Sequence, residues 1–424
     1  MPKVTLVRGA RQLLTLRGPS GPRRGADLRN LGLIQDGAVL IVDGLIEEVG
    51  PSRRVENLAL AQHATEIDAS GRVVMPGFVD SHTHLVAGPA RVSDYEMRMA
   101  GATYQQIAEA GGGTLAVAKS IQELSPRTLE TQARRAIDEA VRHGTTTLEA
   151  KSGFGLTEAN EFKILRVHLA LRQQPLDIVS TFLNAHVSPE YQGKTRQYMD
   201  WVCSHMLPTV KRRKLAEFVD VRCDQGSFNV NEARSYLAVA QQLGFALKMH
   251  TGQRPIPGAI RMAIEVGATS VDHVVDISTE DANLLAQSPT IATLLPGAVF
   301  HLGTQKYAPA RMLIDTGVAV ALATNYNPET SPSQNMQMMI ALACGKMSMT
   351  AAEALMAATV NGAYAVRQAH RIGSLEKGKS ADLLVLGVPD YREIPYHFGV
   401  NLVDLVMKGG AVLLERSEVK WPVN

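Results

Sequence analysis

Two histidines in the stretch DSHTHL, His82 and His84, have the residue type and the spacing of a metal site. Side chains alternate along a β-strand, so residues two positions apart lie on the same face. Two imidazoles on one face can bind the same divalent metal, and neutral imidazole suits zinc, iron or nickel. A His-x-His pair alone is a weak signal, because most such pairs bind no metal. The pair therefore needs further ligands from elsewhere in the chain.

Such ligands lie at the ends of later apolar runs. His186 ends the run DIVSTFLNAH, His250 comes near the end of FALKMHTG, and His273 lies within TSVDHVVD. A bound metal would lower the pKa of its water towards neutrality and polarise a substrate carbonyl. Together, the histidines predict a hydrolytic metal centre.

The elements that must position these histidines are short apolar runs that alternate with helical patterns. The runs are GFVDSHTHL, GTTTLEAKSG, DIVSTFLNAH, AEFVDVRCD, FALKMHTG, TSVDHVVD, TIATLLPG and VAVALATN. Between most of them lie amphipathic segments such as EANEFKILRVHLALR. Eight strand–helix units are the number for a closed (β/α)8 barrel, whose active site forms at the C-terminal ends of the strands. That edge is where the histidines fall.

The two ends of the chain read as short strands and turns. The segment GAVLIVDGLIEEVG predicts two strands around an Asp-Gly turn, and GSLEKGKSADLLVLG and LVDLVMKGGAVLLE predict strands near the C-terminus. We expect both ends to pair in a small β-sandwich domain. The predicted divisions are 1–72 and 369–424 for the two parts of this domain, and 73–368 for the barrel.

Composition excludes several classes of function. The 424 residues include 45% hydrophobic and 20% charged residues, as in globular proteins, and the net charge of +2 gives no footprint for nucleic acid. No apolar run is long enough for a membrane span, and the N-terminus lacks a signal-peptide core. Three scattered cysteines suggest a reducing compartment. These observations predict a cytoplasmic protein.

Longer motifs carry a resemblance to a known family. VVMPGFVDSHTHLV is similar to the opening barrel strand of the amidohydrolase superfamily, and GSLEKGKSADLLVL to its return to the β-domain. The further stretches EMRMAGATYQQIAEAGGGT, GTTTLEAKSGFGLTEANEFKILR, NAHVSPEY, LLPGAVFHLG and NPETSPS resemble the imidazolonepropionase family. The resemblance implies a homodimer that hydrolyses imidazolonepropionate to formiminoglutamate, a step of histidine degradation.

The resemblance also implies roles for individual residues. His82, His84 and His250 fall on metal ligands, and His273 on a histidine that hydrogen-bonds the attacking water or the substrate carbonyl. Arg91 falls on an arginine that binds the substrate's propionate, a role that suits a guanidinium. The remaining implied contacts to the substrate are Tyr104, His186, Gln253, Asn327 and Thr330, with Gln253 facing the ring.

Three positions depart from the family. Asn325 stands where the family has an aspartate that binds the metal and takes the proton of the water. Phe154 replaces a tyrosine that reaches the substrate, and Glu329 replaces a glycine beside the substrate carboxylate. An ionised glutamate there would repel a propionate. Asparagine keeps an acceptor oxygen but cannot take a proton near neutral pH.

Three explanations of Asn325 stay open at this point. The chain is a diverged hydrolase, a silent relative that binds a metal or small molecule, or a variant with an engineered Asp→Asn change. Phe154 and Glu329 argue against the last. His273 is the best substitute base, since its unperturbed pKa lies near working pH, and Glu329 is a weaker one.

The resulting hypothesis is a metal-dependent hydrolase of a carbon–nitrogen bond in a small cyclic amide that carries a carboxylate. Zinc is the expected metal and iron the alternative. The imidazolonepropionase reaction is the leading specific activity. A heterocycle deaminase is the enzymatic rival, although it needs a proton shuttle that Gln253 cannot supply.

Overall fold

The computed structural model describes residues 2–172 and 175–416. Its strands are β1 (Val4–Leu14), β2 (Leu33–Val42), β3 (Leu45–Pro51), β4 (Thr65–Asp68), β5 (Val73–Pro76), β6 (Phe78–Asp80), β7 (Thr145–Lys151) and β8 (Asp177–Asn184). They continue with β9 (Phe218–Arg222), β10 (Ala246–Thr251), β11 (Ser270–His273), β12 (Ile291–Leu294), β13 (Val320–Leu322), β14 (Leu383–Leu386), β15 (Val403–Lys408) and β16 (Ala411–Glu415).

The helices lie mainly between the strands of the middle region. They are α1 (Ser52–Val55), α2 (Val92–Met99), α3 (Tyr104–Glu109), α4 (Gly113–Glu123), α5 (Pro126–Arg142), α6 (Glu158–Leu171), α7 (Thr195–Trp201), α8 (Leu207–Arg212) and α9 (Val230–Gln242). They continue with α10 (Ala259–Glu265), α11 (Thr279–Ala286), α12 (Pro296–His301), α13 (Ala310–Thr316), α14 (Met336–Met347), α15 (Ala351–Ala357), α16 (Val360–Ala365) and α17 (Glu393–Tyr396). Within the described ranges, no helix has the length and apolar character to cross a membrane.

Strands from both chain ends form one hydrogen-bonded sheet of eight strands. Its order is β16-β15-β14-β5-β1-β2-β3, and β4 pairs with β1. The hairpin β2–β3 turns at Asp43 and Gly44, whose positive φ angles of 47° and 84° suit a type I′ turn. The prediction of a small β-domain from both ends is confirmed. Strand β5 belongs to this sheet, although it lies within the segment predicted as barrel.

The middle region is a parallel barrel, as predicted. Strands β6 to β13 lie in sequence order in one eight-stranded sheet, and each predicted apolar run contains one of them. The helix α5 shows how the outer layer packs. Ser125 caps its N-terminus, Pro126 occupies its first turn, and the apolar side chains at three- and four-residue spacing are buried. The strands are buried on both faces, which explains their continuous apolar runs.

Polar contacts join the first and last barrel strands. The carboxylate of Asp80 accepts hydrogen bonds from the backbone N–H of Thr324 at 3.0 Å and from its hydroxyl at 2.6 Å. One step further along, the N–H of Asn325 donates to the carbonyl of His82 at 3.0 Å. These bonds hold the end of β13 against the DSHTHL stretch.

A close approach of α16 to β6 gives a test of this packing. A Cβ on Gly362 would lie 2.7 Å from the carbonyl oxygen of Val79. We expect Gly362→Ala to lower the free energy of unfolding by about 1–3 kcal/mol, because the backbone of the strand cannot move aside. Urea denaturation followed by circular dichroism measures this change.

Gly345 is the matched control, because it also lies in a helix but a Cβ there would meet no atom within 4 Å. Gly345→Ala should be neutral or stabilise by up to about 1 kcal/mol. Equal effects of the two substitutions would contradict the packing described here.

Candidate active site

Four histidines converge at the C-terminal edge of the barrel. Side-chain nitrogens of His82, His250 and His273 lie within 4.8 Å of one another. The ring of His84 borders this group, with its centroid 5.5 Å from that of His82 and 6.1 Å from that of His250. Histidines that lie up to 191 positions apart in the sequence thus meet at one edge of the barrel, as the sequence predicted.

His82 is in the form that a metal requires. Its Nδ1 lies 2.7 Å from Asp272 Oδ2, while its Nε2 is buried and has no hydrogen-bond partner among the described residues. Burial, followed by the charge of Lys151, lowers the pKa of His82 well below its ordinary value. Burial also lowers the pKa of His84 and of His273 well below the ordinary value. Neutral imidazoles with a free nitrogen fit a divalent metal ion.

A buried ion cluster orients two of the histidines. Asp220 Oδ2 lies 2.8 Å from Nδ1 of His250, which matches the contact of Asp272 with Nδ1 of His82 at 2.7 Å. The ammonium of Lys151 lies 2.7 Å from Asp220 and 3.2 Å from Asp272, and all three side chains are fully buried. Burial opposes ionisation of Asp220, but the charges of His250 and Lys151 lower its pKa to about 2. Both aspartates therefore hold their histidines as acceptors.

Two further charges complete this cluster. Glu149 lies 3.1 Å from Lys151 and 2.9 Å from Lys248, and it also accepts a hydrogen bond from Thr181. These ions were not among the predicted site residues. The sequence did contain a signal for them: Glu149 and Lys151 are two positions apart, so both charges lie on the inward face of one strand.

Asn325 lies at the end of β13, as the sequence predicted. Its backbone has a positive φ of 54°, a conformation that Asn tolerates better than most residues. Its side-chain Nδ2 donates to Thr330 Oγ1 at 3.3 Å, and the residue lines the same cavity as His84, His250 and His273. The residue therefore offers a neutral oxygen where a carboxylate would offer an anion.

The loop after Asn325 is organised by Asn327. Its Oδ1 accepts from the backbone N–H groups of Glu329 and Thr330 at 2.9 Å and 2.8 Å. Its Nδ2 donates to the carbonyl of Asn325 at 2.7 Å and to Thr330 Oγ1 at 2.8 Å. The predicted substrate contacts Asn327 and Thr330 thus hold the loop itself in place.

A cavity of about 730 Å³ opens above the histidines. Most of the predicted site residues line it, namely His84, Tyr104, Phe154, His186, His250, Gln253, His273, Asn325, Asn327, Glu329 and Thr330. The ring of Phe154 packs edge-on against His84 at 4.9 Å, and burial lowers the pKa of His186 to about 4. The volume suits a small heterocycle with a side chain.

Arg91 lies outside this cavity lining. Its guanidinium forms two hydrogen bonds with Asp94, at 3.0 Å and 2.8 Å. Asp94 also accepts from the N–H of Gly113, which fixes the pair at the start of α2. The role of Arg91 in binding a carboxylate stays a prediction.

Several cavity residues were missed by the sequence analysis. They are Arg98, Thr114, Arg222 and Arg254. Arg98 and Thr114 come from helices that the barrel pattern does not place, whereas Arg222 ends a predicted strand and was open to prediction. The cavity lining contains three arginines and the carboxylate of Glu329, so its charges attract an anion.

Comparison with known proteins agrees with this geometry. Residues 73–413 match the profile of the Amidohydrolase family. The chain is 44% identical to the imidazolonepropionase of Geobacillus kaustophilus, an alignment that covers 97% of this chain and 98% of that protein. It is 40% identical to the imidazolonepropionase of Alkaliphilus metalliredigens, over 98% of this chain and 99% of the relative.

Solved structures are similar in fold at low sequence identity. A triazine hydrolase variant has a TM-score of 0.76 at 19% identity, covering 97% of this chain and 95% of that chain. An adenosine deaminase from Xanthomonas campestris with bound zinc has a TM-score of 0.69 at 18% identity, covering 97% and 93%. Identities this low support the barrel architecture alone.

The contact between Asp272 and His82 predicts an effect on metal affinity. Asp272→Asn replaces the acceptor of the His82 ring N–H and should weaken metal binding by about 10- to 100-fold. Competition with a chromogenic chelator measures this affinity. Asp276→Asn, on the exposed surface four residues later, is the control. A folded Asp272→Asn protein with unchanged metal affinity would contradict the proposed orientation of His82.

Glu329 predicts a dependence of stability on pH. Burial raises its pKa above the ordinary value of 4.5, and the hydrogen bond from Thr114 only partly opposes this. A raised pKa means that folding favours the protonated form. The wild type should therefore lose stability relative to Glu329→Gln as pH rises from about 4.5 through the folded-state pKa.

Melting temperatures at about pH 5 and pH 8 measure this difference. The gap between Glu329→Gln and wild type should widen at the higher pH. The exposed Glu96 on α2 gives the control, Glu96→Gln, for which no widening is expected. A gap that is the same at both pH values would show that burial does not disfavour the ionised Glu329.

Proposed function

Because the chain belongs to the amidohydrolase family, and within it to the imidazolonepropionases, we propose that it hydrolyses the ring of imidazolonepropionate to give formiminoglutamate. It is a hydrolase of carbon–nitrogen bonds in a cyclic amide. The observation that carries the proposal is the full-length similarity to imidazolonepropionases, 44% identity over 97% of the chain. The meeting of the histidines beneath a cavity of suitable size supports it.

We assign the metal to His82, His84 and His250, with the amide oxygen of Asn325 as a fourth, weaker ligand. Three imidazole nitrogens and one oxygen suit zinc, which we propose as the metal, with iron as the alternative. When bound there, a divalent metal supplies Lewis acidity that activates water and polarises the ring carbonyl. His84, His250 and Asn325 line the cavity, which gives water and substrate access to this position.

His273 is the residue that we propose to handle the proton. Its ring centroid lies 5.2 Å from that of His250, and its side chain is nearly fully buried beside the cavity. Burial lowers the pKa of His273 well below its ordinary value, so the expectation of a pKa near working pH is wrong. The ring is neutral and has a nitrogen that can accept a proton from the attacking water, but it is a weaker base than an exposed histidine. Asn325 can orient that water through its oxygen but cannot take its proton.

The cavity walls fit the rest of the substrate. Phe154 supplies an apolar face beside His84, where the ring would lie. We propose that Tyr104, His186 and Gln253 contact the substrate from the cavity wall. Glu329 faces the same cavity, and its raised pKa reduces the repulsion that an ionised carboxylate would exert on the propionate.

The alternatives have less support in the geometry. A deaminase would need an acid–base residue where Gln253 stands, and the amide cannot move a proton. A silent relative would not need the ion cluster that fixes the tautomers of His82 and His250. Cytoplasmic location and assembly as a homodimer are further proposals, and size-exclusion chromatography with light scattering tests the second.

Asn325→Asp tests the role of the amide directly. Restoring a carboxylate gives the site a group that can take the proton of water, so kcat for imidazolonepropionate should rise by about 10² to 10⁴. Turnover is followed through the loss of the ring absorbance of the substrate. Metal affinity should also increase, since an anionic ligand replaces a neutral one.

Asn335→Asp is the matched control, because it adds the same charge nearby at the N-cap of α14, where Asp serves as well as Asn. It should leave kcat unchanged. An Asn325→Asp protein that is no faster than wild type would contradict the assignment of Asn325 as a lost proton acceptor.

A further inference from the structure

Arg222 points into the mouth of the barrel. It ends β9, two residues after Asp220, whose side chain lies inside the barrel against His250 and Lys151. Alternation along the strand puts Arg222 on the same inward face, one step closer to the C-terminal edge. It lines the cavity there together with His186 and His273.

The guanidinium of Arg222 forms neither a salt bridge nor a hydrogen bond with any residue that the structure describes. The acidic group that most favours its charged form is Asp224, two positions later, which lies beyond salt-bridge distance. Burial lowers its pKa, which reflects the loss of water around the charge. A half-buried guanidinium that faces a cavity, and whose donors make no hydrogen bond to a carboxylate among the described residues, is a ready site for the carboxylate of a ligand. Arg91, by contrast, already pairs with Asp94.

Glu329 does not neutralise Arg222. It follows the strand opposite β9 in the barrel, and the hydroxyl of Thr114 binds its carboxylate at 3.1 Å. Of the arginines, Arg98 acts on Glu329 more strongly than Arg222 does. Arg222 therefore remains available in the part of the cavity that lies next to His186 and His273.

We propose that Arg222 binds the acid group of the substrate. The inference rests on the proposed function for the identity of that substrate, and it assigns specificity for a carboxylate to a residue of the barrel wall. The planar guanidinium forms two parallel hydrogen bonds with the carboxylate, and the cavity shields the pair from water. The ring then lies on the side of His273, towards the cluster of histidines.

Steady-state kinetics on two substrates test this assignment. One is imidazolonepropionate and the other its propionamide, in which a neutral amide replaces the carboxylate. Arg222→Gln should raise KM for the acid by about 10- to 100-fold with kcat changed less than about threefold, and leave KM for the propionamide unchanged. For Arg222→Lys, KM for the acid should lie between those of the wild type and Arg222→Gln, since lysine keeps the charge but loses the two-point contact.

Arg261→Gln, an exposed arginine on α10 that pairs with Glu280, controls for the loss of one positive charge. Arg91→Gln and Arg98→Gln are measured in parallel. An acid-specific rise in KM that follows Arg91 or Arg98 and not Arg222 would overturn the inference. So would an equal effect of Arg222→Gln on both substrates.

Calorimetric binding to the metal-loaded wild type separates this inference from the proposed function. Absence of turnover of imidazolonepropionate by the wild type would contradict the function. The acid can still bind without turnover. If Arg222→Gln then weakens binding of the acid and leaves binding of the propionamide unchanged, the role of Arg222 is supported. Binding of the acid that does not depend on Arg222 overturns that role whether or not turnover occurs.

Discussion

The ion pairs that Lys151 makes with Asp220 and Asp272 are the interaction on which the site depends. Each aspartate accepts from the Nδ1 side of one histidine, so the Nε2 of His82 and of His250 is the nitrogen that remains for a metal. Burying these charges does not by itself stabilise the fold, because desolvation offsets their attraction. Their effect is positional: they fix which nitrogen carries the proton and where the free lone pair points.

Asn325 brings a neutral side chain to the edge of that arrangement. Its amide donates to Thr330 and its backbone N–H donates to the carbonyl of His82, so the loop after β13 is held in place. An asparagine supplies neither a negative charge nor a proton acceptor there. The chain has another carboxylate four residues later, Glu329, but Thr114 holds it on the cavity wall. We therefore propose His273 as the group that takes the proton.

The sequence predicted the features that depend on local pattern. Eight apolar runs, the Asp-Gly hairpin and the strand-end positions of His82, His250 and His273 were all confirmed. The pairing of Arg91 with Asp94 was also readable, as opposite charges three positions apart at a helix start. Alternation shows which face Lys151 and Arg222 occupy, but not that several strands direct charges at one point.

That convergence follows from the closure of the barrel, a long-range property. The contact between Lys151 and Asp272 joins strands that are not neighbours in the sheet, so no local pattern could reveal it. For the same reason the sequence could not show whether the cavity leaves Glu329 or Arg222 without a partner. Burial and pairing were decided by tertiary packing, and both determine the charge that a substrate meets.

The most direct test of the account is the dependence of wild-type turnover on metal. Imidazolonepropionate hydrolysis is measured on the purified protein with its metal content determined, after removal of metal by a chelator, and after addition of zinc. We expect one metal per chain, loss of turnover when the metal is removed and recovery of turnover when zinc is added. Turnover that persists in the metal-free protein would contradict the assignment of the histidine cluster as the catalytic metal site.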